Sequence, residues 1–246
     1  MDKTFTVRYE KQATARSLRV AGSRWIAIGA VLLAAAVHAM AQGSAVQQAV
    51  QQAVAANKQK LLQYQWIETT QLTLNGDPKP PTQNICRYGP DGQVQKTPVG
   101  PPPPPPSGGR MKQRVIEKKK AEIKDYMGDV KGVIGLYVPP DPQKMQQAFQ
   151  SGKVSFNPAG GVVNIVFKDY AQPGDQMTLA FDTAAKKLVS LNINTYMGEA
   201  KDVVTLQVQM ASLPDGTNYT QQTILNATAK KIVATTTSAS FQKLGN

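Results

Sequence analysis

The side chains that most often do chemistry in proteins are scarce in this chain of 246 residues. It contains one histidine, His38, and one cysteine, Cys86. A serine or cysteine nucleophile of the usual kind needs a neighbouring base, which is most often an imidazole. A single cysteine can form neither an intramolecular disulfide nor a multi-cysteine metal site. The sequence therefore argues against imidazole-dependent catalysis, and we expect no metal ion and no cofactor.

Carboxylates remain as candidate catalytic groups, because glycoside hydrolysis needs only two acids about 5 to 9 Å apart. Most of the acidic residues, however, lie in predicted turns, where aspartate hydrogen-bonds to nearby backbone N–H groups. Examples are Asp91, Asp175, Asp182, Asp202 and Asp215. We expect no catalytic residue and no enzymatic activity, and a hydrolase that uses carboxylates stays open as a minor alternative.

The first 41 residues have the order of a secretory signal peptide. Basic residues from Arg8 to Arg24 precede an uncharged apolar run, and Ala39-Met40-Ala41 offers a small-residue cleavage site. The run of about 13 to 17 residues is shorter than the roughly 20 that a membrane-spanning helix needs. We predict a signal peptide over 1–41, a periplasmic or extracellular protein, and no integral membrane span after cleavage. An uncleaved anchor is the alternative.

Cleavage after Ala41 would remove the only histidine and leave 22 basic and 14 acidic residues, a net charge of +8. Such a surplus favours attraction to anionic head groups or acidic polymers, although solubility alone can explain it. We expect no nucleic-acid partner, because the chain is exported. The remaining residues, 42–246, suffice for a single domain with its own core.

The predicted secondary structure after the signal peptide begins with an amphipathic helix over 44–63, in which valines recur at helical spacing. From Tyr64 the period changes to two, which predicts a strand that ends at the Asn75-Gly76-Asp77 turn. Two further strands, 83–88 and 93–97, are joined by a turn rich in glycine, proline and aspartate and predict a hairpin.

A proline-rich loop at 98–109 separates this hairpin from two helices. Its six consecutive prolines, Pro101 to Pro106, favour a stiff and exposed polyproline II spacer. Apolar residues then recur at helical spacing from Ile116 to Ile134, with lysines on the flanks. A second, shorter helix has Asp141 at its predicted N-cap and a proline at its first position. These two helices form a predicted central pair.

The rest of the chain alternates apolar and polar residues, which predicts one-sided antiparallel strands in a meander. The four clearest segments are 163–167, 177–181, 189–193 and 204–210. Two last strands, near 219–225 and 231–241, are rich in threonine, glutamine and serine, and we expect them at a shallow or exposed edge. The predicted fold class is α+β: a large curved antiparallel sheet, or incomplete β-barrel, covered by an N-terminal helix and the central pair.

This order of elements resembles the periplasmic outer-membrane lipoprotein-sorting carriers and their sensor relatives. The resemblance rests on the opening helix, the Tyr64-Gln65-Trp66 strand, the hairpin at 87–92, the central helices and the long meander. It covers most of 44–243, and the proline run departs from the pattern. The resemblance implies an incomplete barrel closed by helices, with an apolar cavity that shelters lipid chains.

Side chains on the inner face of the predicted strands would line such a cavity. The candidates are Trp66, Leu72, Phe167, Met177, Phe181, Ile193, Leu206 and Met210. We therefore expect a non-catalytic cell-envelope protein that binds an acyl chain, a lipid or a lipidated partner between sheet and helices. The alternative is an envelope interaction or sensor module with a fully packed core and no lipid ligand. That module would contact another envelope protein through the basic helix or the polar C-terminal strands.

Overall fold

The computed structural model describes residue 52, residues 55–100 and residues 109–245. The predicted signal peptide, the start of the predicted opening helix and the six prolines lie outside the described residues. Helix α1 is described over 55–61, which confirms that part of the opening helix. All the described residues belong to one compact unit of the chain.

Eleven strands and two further helices follow α1 in the described ranges. The strands are β1 (Tyr64–Leu74), β2 (Asp77–Pro78), β3 (Thr82–Tyr88), β4 (Val94–Pro98), β5 (Val154–Ala159), β6 (Val162–Lys168), β7 (Gln176–Asp182), β8 (Lys187–Tyr196), β9 (Val203–Ser212), β10 (Asn218–Ala227) and β11 (Ile232–Lys243). The helices are α2 (Arg110–Ile134) and α3 (Pro142–Gln150), and a 3₁₀ turn, Thr228–Lys230, separates the last two strands.

The strands form one antiparallel sheet in the order β4-β3-β1-β11-β10-β9-β8-β7-β6-β5, with β2 paired to β1. No pairing joins β4 to β5, so the sheet is not closed. This architecture confirms the predicted α+β class with an incomplete antiparallel barrel.

The two last strands lie in the middle of the sheet, and the prediction that they form an edge was wrong. Strand β11 pairs with β1 on one side and with β10 on the other. In the first of these ladders, Leu72 lies opposite Ala234 and Leu74 opposite Ile232. Threonine is a strong strand former wherever it lies in a sheet, because its branched β-carbon suits the pleated backbone. A polar composition therefore does not indicate an edge.

A bulge changes the predicted inward set on β8. The register shifts between Ala180 and Phe181, so that Leu188 lies opposite Phe181. Val189, predicted to face inward with Leu191, is instead 38% exposed. One extra residue in one strand of a ladder reverses the face to which the residues beyond it point. The apolar and polar residues still alternate along the sequence, so the pattern alone does not reveal the bulge.

Prolines occur in three strands that lie at the margins of the sheet. Pro78 is in β2, Pro98 in β4 and Pro158 in β5. Proline has no backbone N–H to give to a neighbouring strand, so it is tolerated at margins and discourages further pairing. These prolines help to explain why the sheet ends where it does.

The outer face of the central strands is largely polar and carries no charge at the positions that alternate with the buried ones. Most of these positions on β8, β9, β10, β11 and β1 carry amides and hydroxyls, whereas Ile67, Val203, Ile224 and Val233 are apolar. The polar positions include Ser190, Asn192, Asn194, Thr205, Gln207, Gln209, Gln222, Asn226, Thr235, Thr237, Thr69, Gln71 and Thr73. The positive charge of the chain therefore lies elsewhere.

The inner face is covered by the second half of α2 and by α3. Val130 of α2 packs in a buried cluster with Val204, Ala227 and Ile232. Helix α3 begins as predicted, because the carboxylate of Asp141 accepts hydrogen bonds from the first-turn backbone N–H groups. By contrast, the first half of α2 is largely exposed.

A buried hydrogen-bond network fixes the segment between α2 and α3 to the sheet. The Tyr137 hydroxyl donates to Asp175 Oδ2 at 2.6 Å and lies 2.7 Å from Thr195 Oγ1. The same carboxylate accepts from the backbone N–H groups of residues 170, 171 and 172. Asp175 is 3% exposed, and its charge is balanced by these donors rather than by a cation.

Replacing Tyr137 with phenylalanine should keep the buried ring and remove its hydroxyl bonds. We expect urea unfolding at neutral pH to show a loss of about 1 to 3 kcal/mol, the usual cost of losing a hydrogen bond to a charged group. Tyr196→Phe is the matched control, since that hydroxyl donates only to the Pro173 carbonyl at an exposed site. Equal losses in the two variants would contradict a special role for Tyr137.

The same variant should alter alkaline stability. Burial, followed by the bond to Asp175, raises the pKa of Tyr137 above its ordinary value of 10.0. Above that pH the unfolded chain releases a proton that the folded chain keeps, so the free energy of unfolding falls as pH rises. Tyr137→Phe should therefore lose less stability than the wild type between about pH 10 and pH 12. An identical alkaline loss in thermal unfolding would exclude this contribution.

Candidate functional site

The residues predicted to line a cavity are mostly core residues in the structure. Phe167, Met177, Ile193 and Leu206 lie side by side across β6 to β9, and none is more than 6% exposed. The ring of Phe149 on α3 packs edge-on against Phe167, with centroids 5.6 Å apart. These side chains fill the space between helix and sheet.

The other four predicted residues lie at separate places on the sheet. Phe181 is 3% exposed and belongs to the same core. Leu72 is half-buried against the cluster under α2, and Met210 is half-buried on β9. Trp66 stacks on the ring of Phe241 with centroids 5.6 Å apart. The two cavities described below are lined by none of the eight residues.

An open cleft of about 290 Å³ lies between the first half of α2 and the hairpin that joins β1 to β2. Its lining consists of Leu74, Asn75, Asp77, Lys79, Ile116, Lys119, Lys120, Ile123 and Lys230, and we call it the lysine cleft. The three aliphatic side chains are half-buried and form its floor, whereas the four lysines are exposed and form its rim.

The lysine cleft exists because distant segments meet beside a tight turn. Asn75 and Gly76 have φ values of 53° and 88°, the left-handed conformations that a two-residue hairpin requires. The Asn75 backbone N–H donates to the Lys231 carbonyl at 3.0 Å, which holds the turn beside Lys230. On α2, Ile116 and Ile123 are separated by seven residues and therefore lie on one face of the helix.

The rim of the cleft has an excess of positive charge. Among the described residues, the ion pairs are Lys96–Glu68, Lys153–Asp169 and Lys201–Glu199, so none involves a cleft lysine. Asp77 is the single acid in the lining. The Lys230 Nζ atom lies 6.0 Å from the ring centroid of Tyr126, a cation–π distance. Unpaired lysines around one carboxylate attract an anion.

A different cavity, of about 440 Å³, lies at the turn between β3 and β4. It is lined by Leu62, Arg87, Tyr88, Gly89, Pro90, Gly92, Gln95 and Leu244. Tyr88 also contacts Trp66, with ring centroids 5.6 Å apart. Arg87 is the only charged side chain in this lining. This pocket therefore lacks the concentration of charge found in the lysine cleft.

The described residues were also compared with the requirements of a metal site and of a reactive thiol. No three histidine, cysteine or acidic side chains are grouped closely enough in the described ranges to hold a metal ion. Cys86 is fully buried, and burial, followed by the charge of Glu68, raises the pKa of its thiol. Within the same ranges no helix combines the length and the apolar character that crossing a bilayer requires.

Comparison with known proteins gives no relative, since no family model, no curated protein and no solved structure matches the chain. The geometry of the described residues is therefore the basis for a function. The lysine cleft was not predicted from the sequence, although Ile116 and Ile123 were expected on one stripe of a helix. The available signal was the pair Lys119-Lys120 between these two isoleucines.

Cys86 should resist thiol reagents in the folded protein. The thiolate is the reactive form, and a fully buried thiol with a raised pKa presents very little of it. With an aromatic disulfide reagent at neutral pH, we expect modification to be orders of magnitude slower than in urea-unfolded protein. Rapid and complete labelling of the folded chain would show that this part of the sheet is open.

Proposed function

We propose that this chain is a non-catalytic cell-envelope protein that binds an anionic amphiphile, an acyl chain with a negatively charged head group, in the lysine cleft. The observation that carries the proposal is the juxtaposition of an aliphatic floor with four lysines that form no ion pair with any described residue. The floor consists of Leu74, Ile116 and Ile123, and it suits methylene groups. The rim suits a phosphate or carboxylate.

The two parts of the cleft contribute differently to affinity. Each buried methylene group contributes about 0.8 kcal/mol through the hydrophobic effect, and salt does not weaken this contribution. The exposed lysines act as point charges on the head group, and dissolved salt screens this attraction strongly. Binding of one ligand should therefore have a salt-sensitive and a salt-insensitive part.

The setting of this function is part of the proposal. Export rests on the predicted signal peptide over 1–41, and the resemblance to lipoprotein-sorting carriers supports a lipid ligand. The proposed site differs from the one that the resemblance implied, because Phe167, Met177 and their neighbours are buried in a packed core. The acyl chain is instead assigned to the margin of the sheet under α2.

One observation favours a second candidate function, the interaction or sensor module. Six of the eight predicted lining residues are at most 8% exposed, as expected if the core is filled and no lipid enters it. In that case the basic helix α2 would contact another envelope protein. The two candidates differ in whether a pure lipid binds.

Calorimetric titration with dihexanoyl phosphatidylglycerol, below the concentration at which it forms micelles, tests the proposed function. Lys119→Gln combined with Lys120→Gln should weaken binding about tenfold to thirtyfold. Arg114→Gln combined with Lys118→Gln is the matched control, since it removes the same charge from α2 at residues that do not line the cleft. That control should bind like the wild type.

The floor is tested with the same titration. Ile116→Ser should weaken binding to the same extent at low and at high salt, because the lost contact is apolar. Dihexanoyl phosphatidylcholine, which has no net charge, should bind more weakly than the anionic lipid to the wild type. Two results would overturn the proposed function and leave the interaction module. One is that neither lipid binds. The other is that the Lys119/Lys120 variant and the Arg114/Lys118 variant lose the same affinity for the anionic lipid.

A further inference from the structure

The first half of α2 exposes apolar side chains that the lysine cleft does not use. Met111 is 82% exposed and Val115 is 56% exposed. They are four residues apart and therefore lie on one side of the helix, beside the face that carries Ile116 and Ile123. Neither is in the lining of the cleft.

The same helical segment is strongly basic. Between residues 110 and 120 the sequence has six basic residues and one acid, Glu117. The side chains of Arg114 and Lys118 are exposed, and no ion pair among the described residues includes them. Exposed apolar groups on a basic helix are typical of helices that lie on a membrane surface.

The distribution of charge over the described residues indicates which side of the protein an anionic membrane would attract. The outer face of the central strands is uncharged at its alternating positions, as described above. Lys79 and Lys230 lie in the lining of the cleft beside α2, and Lys231 follows directly. An anionic surface would therefore attract the α2 end of the sheet and not its outer face.

We propose that the first half of α2 docks this protein on an anionic phospholipid bilayer, with the lysine cleft turned towards the head groups. Met111 and Val115 would enter the head-group region, while the basic side chains contact lipid phosphates. The orientation of the cleft rests on the proposed function, because a carrier of amphiphiles must exchange them with a membrane. The residues assigned to docking, which are Met111, Arg114, Val115 and Lys118, do not line the cleft.

Co-sedimentation with vesicles tests this inference. The full chain should bind vesicles of phosphatidylcholine and phosphatidylglycerol mixed at about 7 to 3, and bind vesicles of phosphatidylcholine alone at least about tenfold more weakly. Binding should be lost in about 1 M salt, where the Debye length is about 3 Å. Binding that ignores lipid charge would overturn the proposal.

Three paired variants separate docking from ligand binding. Met111→Ser with Val115→Ser, and Arg114→Gln with Lys118→Gln, should each weaken vesicle binding about tenfold. Val94→Ser with Val99→Ser removes two other exposed apolar groups, which lie outside α2, and should have no effect. Equal losses in all three pairs would overturn the assignment to α2.

The soluble lipid titration is run in parallel on the same variants. The first two pairs should bind dihexanoyl phosphatidylglycerol like the wild type, which supports a docking surface distinct from the cleft. Vesicle binding without any soluble lipid binding would overturn the proposed function and keep docking. Soluble lipid binding without vesicle binding would overturn docking alone. Capture of one envelope protein with no vesicle binding would also overturn it, in favour of a protein partner.

Discussion

The antiparallel ladder between β1 and β11 joins segments that are 166 residues apart at Thr70 and Thr236, whose Oγ1 atoms lie 3.1 Å from each other. This pairing attaches the β1-β3-β4 group to the meander that ends the chain. It also places Leu74 opposite Ile232, and so brings the β1–β2 turn beside Lys230. Without this ladder the floor and the rim of the lysine cleft would not meet. Long-range pairing of this kind carries a loop-closure cost, which the rest of the sheet must offset.

The structure separates a closed region from an open one. Under α3 and the second half of α2, large apolar side chains are packed, and the bond between Tyr137 and Asp175 fixes the helical connection above them. Under the first half of α2 the cover is incomplete, which leaves the lysine cleft. Charge is absent from the outer face of the central strands, whereas four lysines line this open end, which therefore attracts anions.

Local patterns in the sequence predicted much of the fold. The alternation from Tyr64 to Leu74, the turn after it, and the Asp141 cap are set by neighbouring residues, and the structure confirms them. The position of β11 depends instead on its partner, and its threonines were compatible with either an edge or the centre. The cleft could not be predicted for the same reason, since its residues come from three segments, 74–79, 116–123 and residue 230, that are joined only by tertiary pairing. The alternating pattern predicted which apolar residues face inward, but it does not distinguish a filled core from a cavity.

Hydrogen exchange followed by mass spectrometry, with and without dihexanoyl phosphatidylglycerol, tests most directly where a ligand binds. Lipid bound in the lysine cleft should slow exchange in two segments at once, 74–79 and 116–123, which line the cleft. Little change is expected in β6 and β7, where Phe167 and Met177 are already buried. Slower exchange in β6 to β9 without change at the cleft would contradict binding in the cleft and place the lipid inside the sheet.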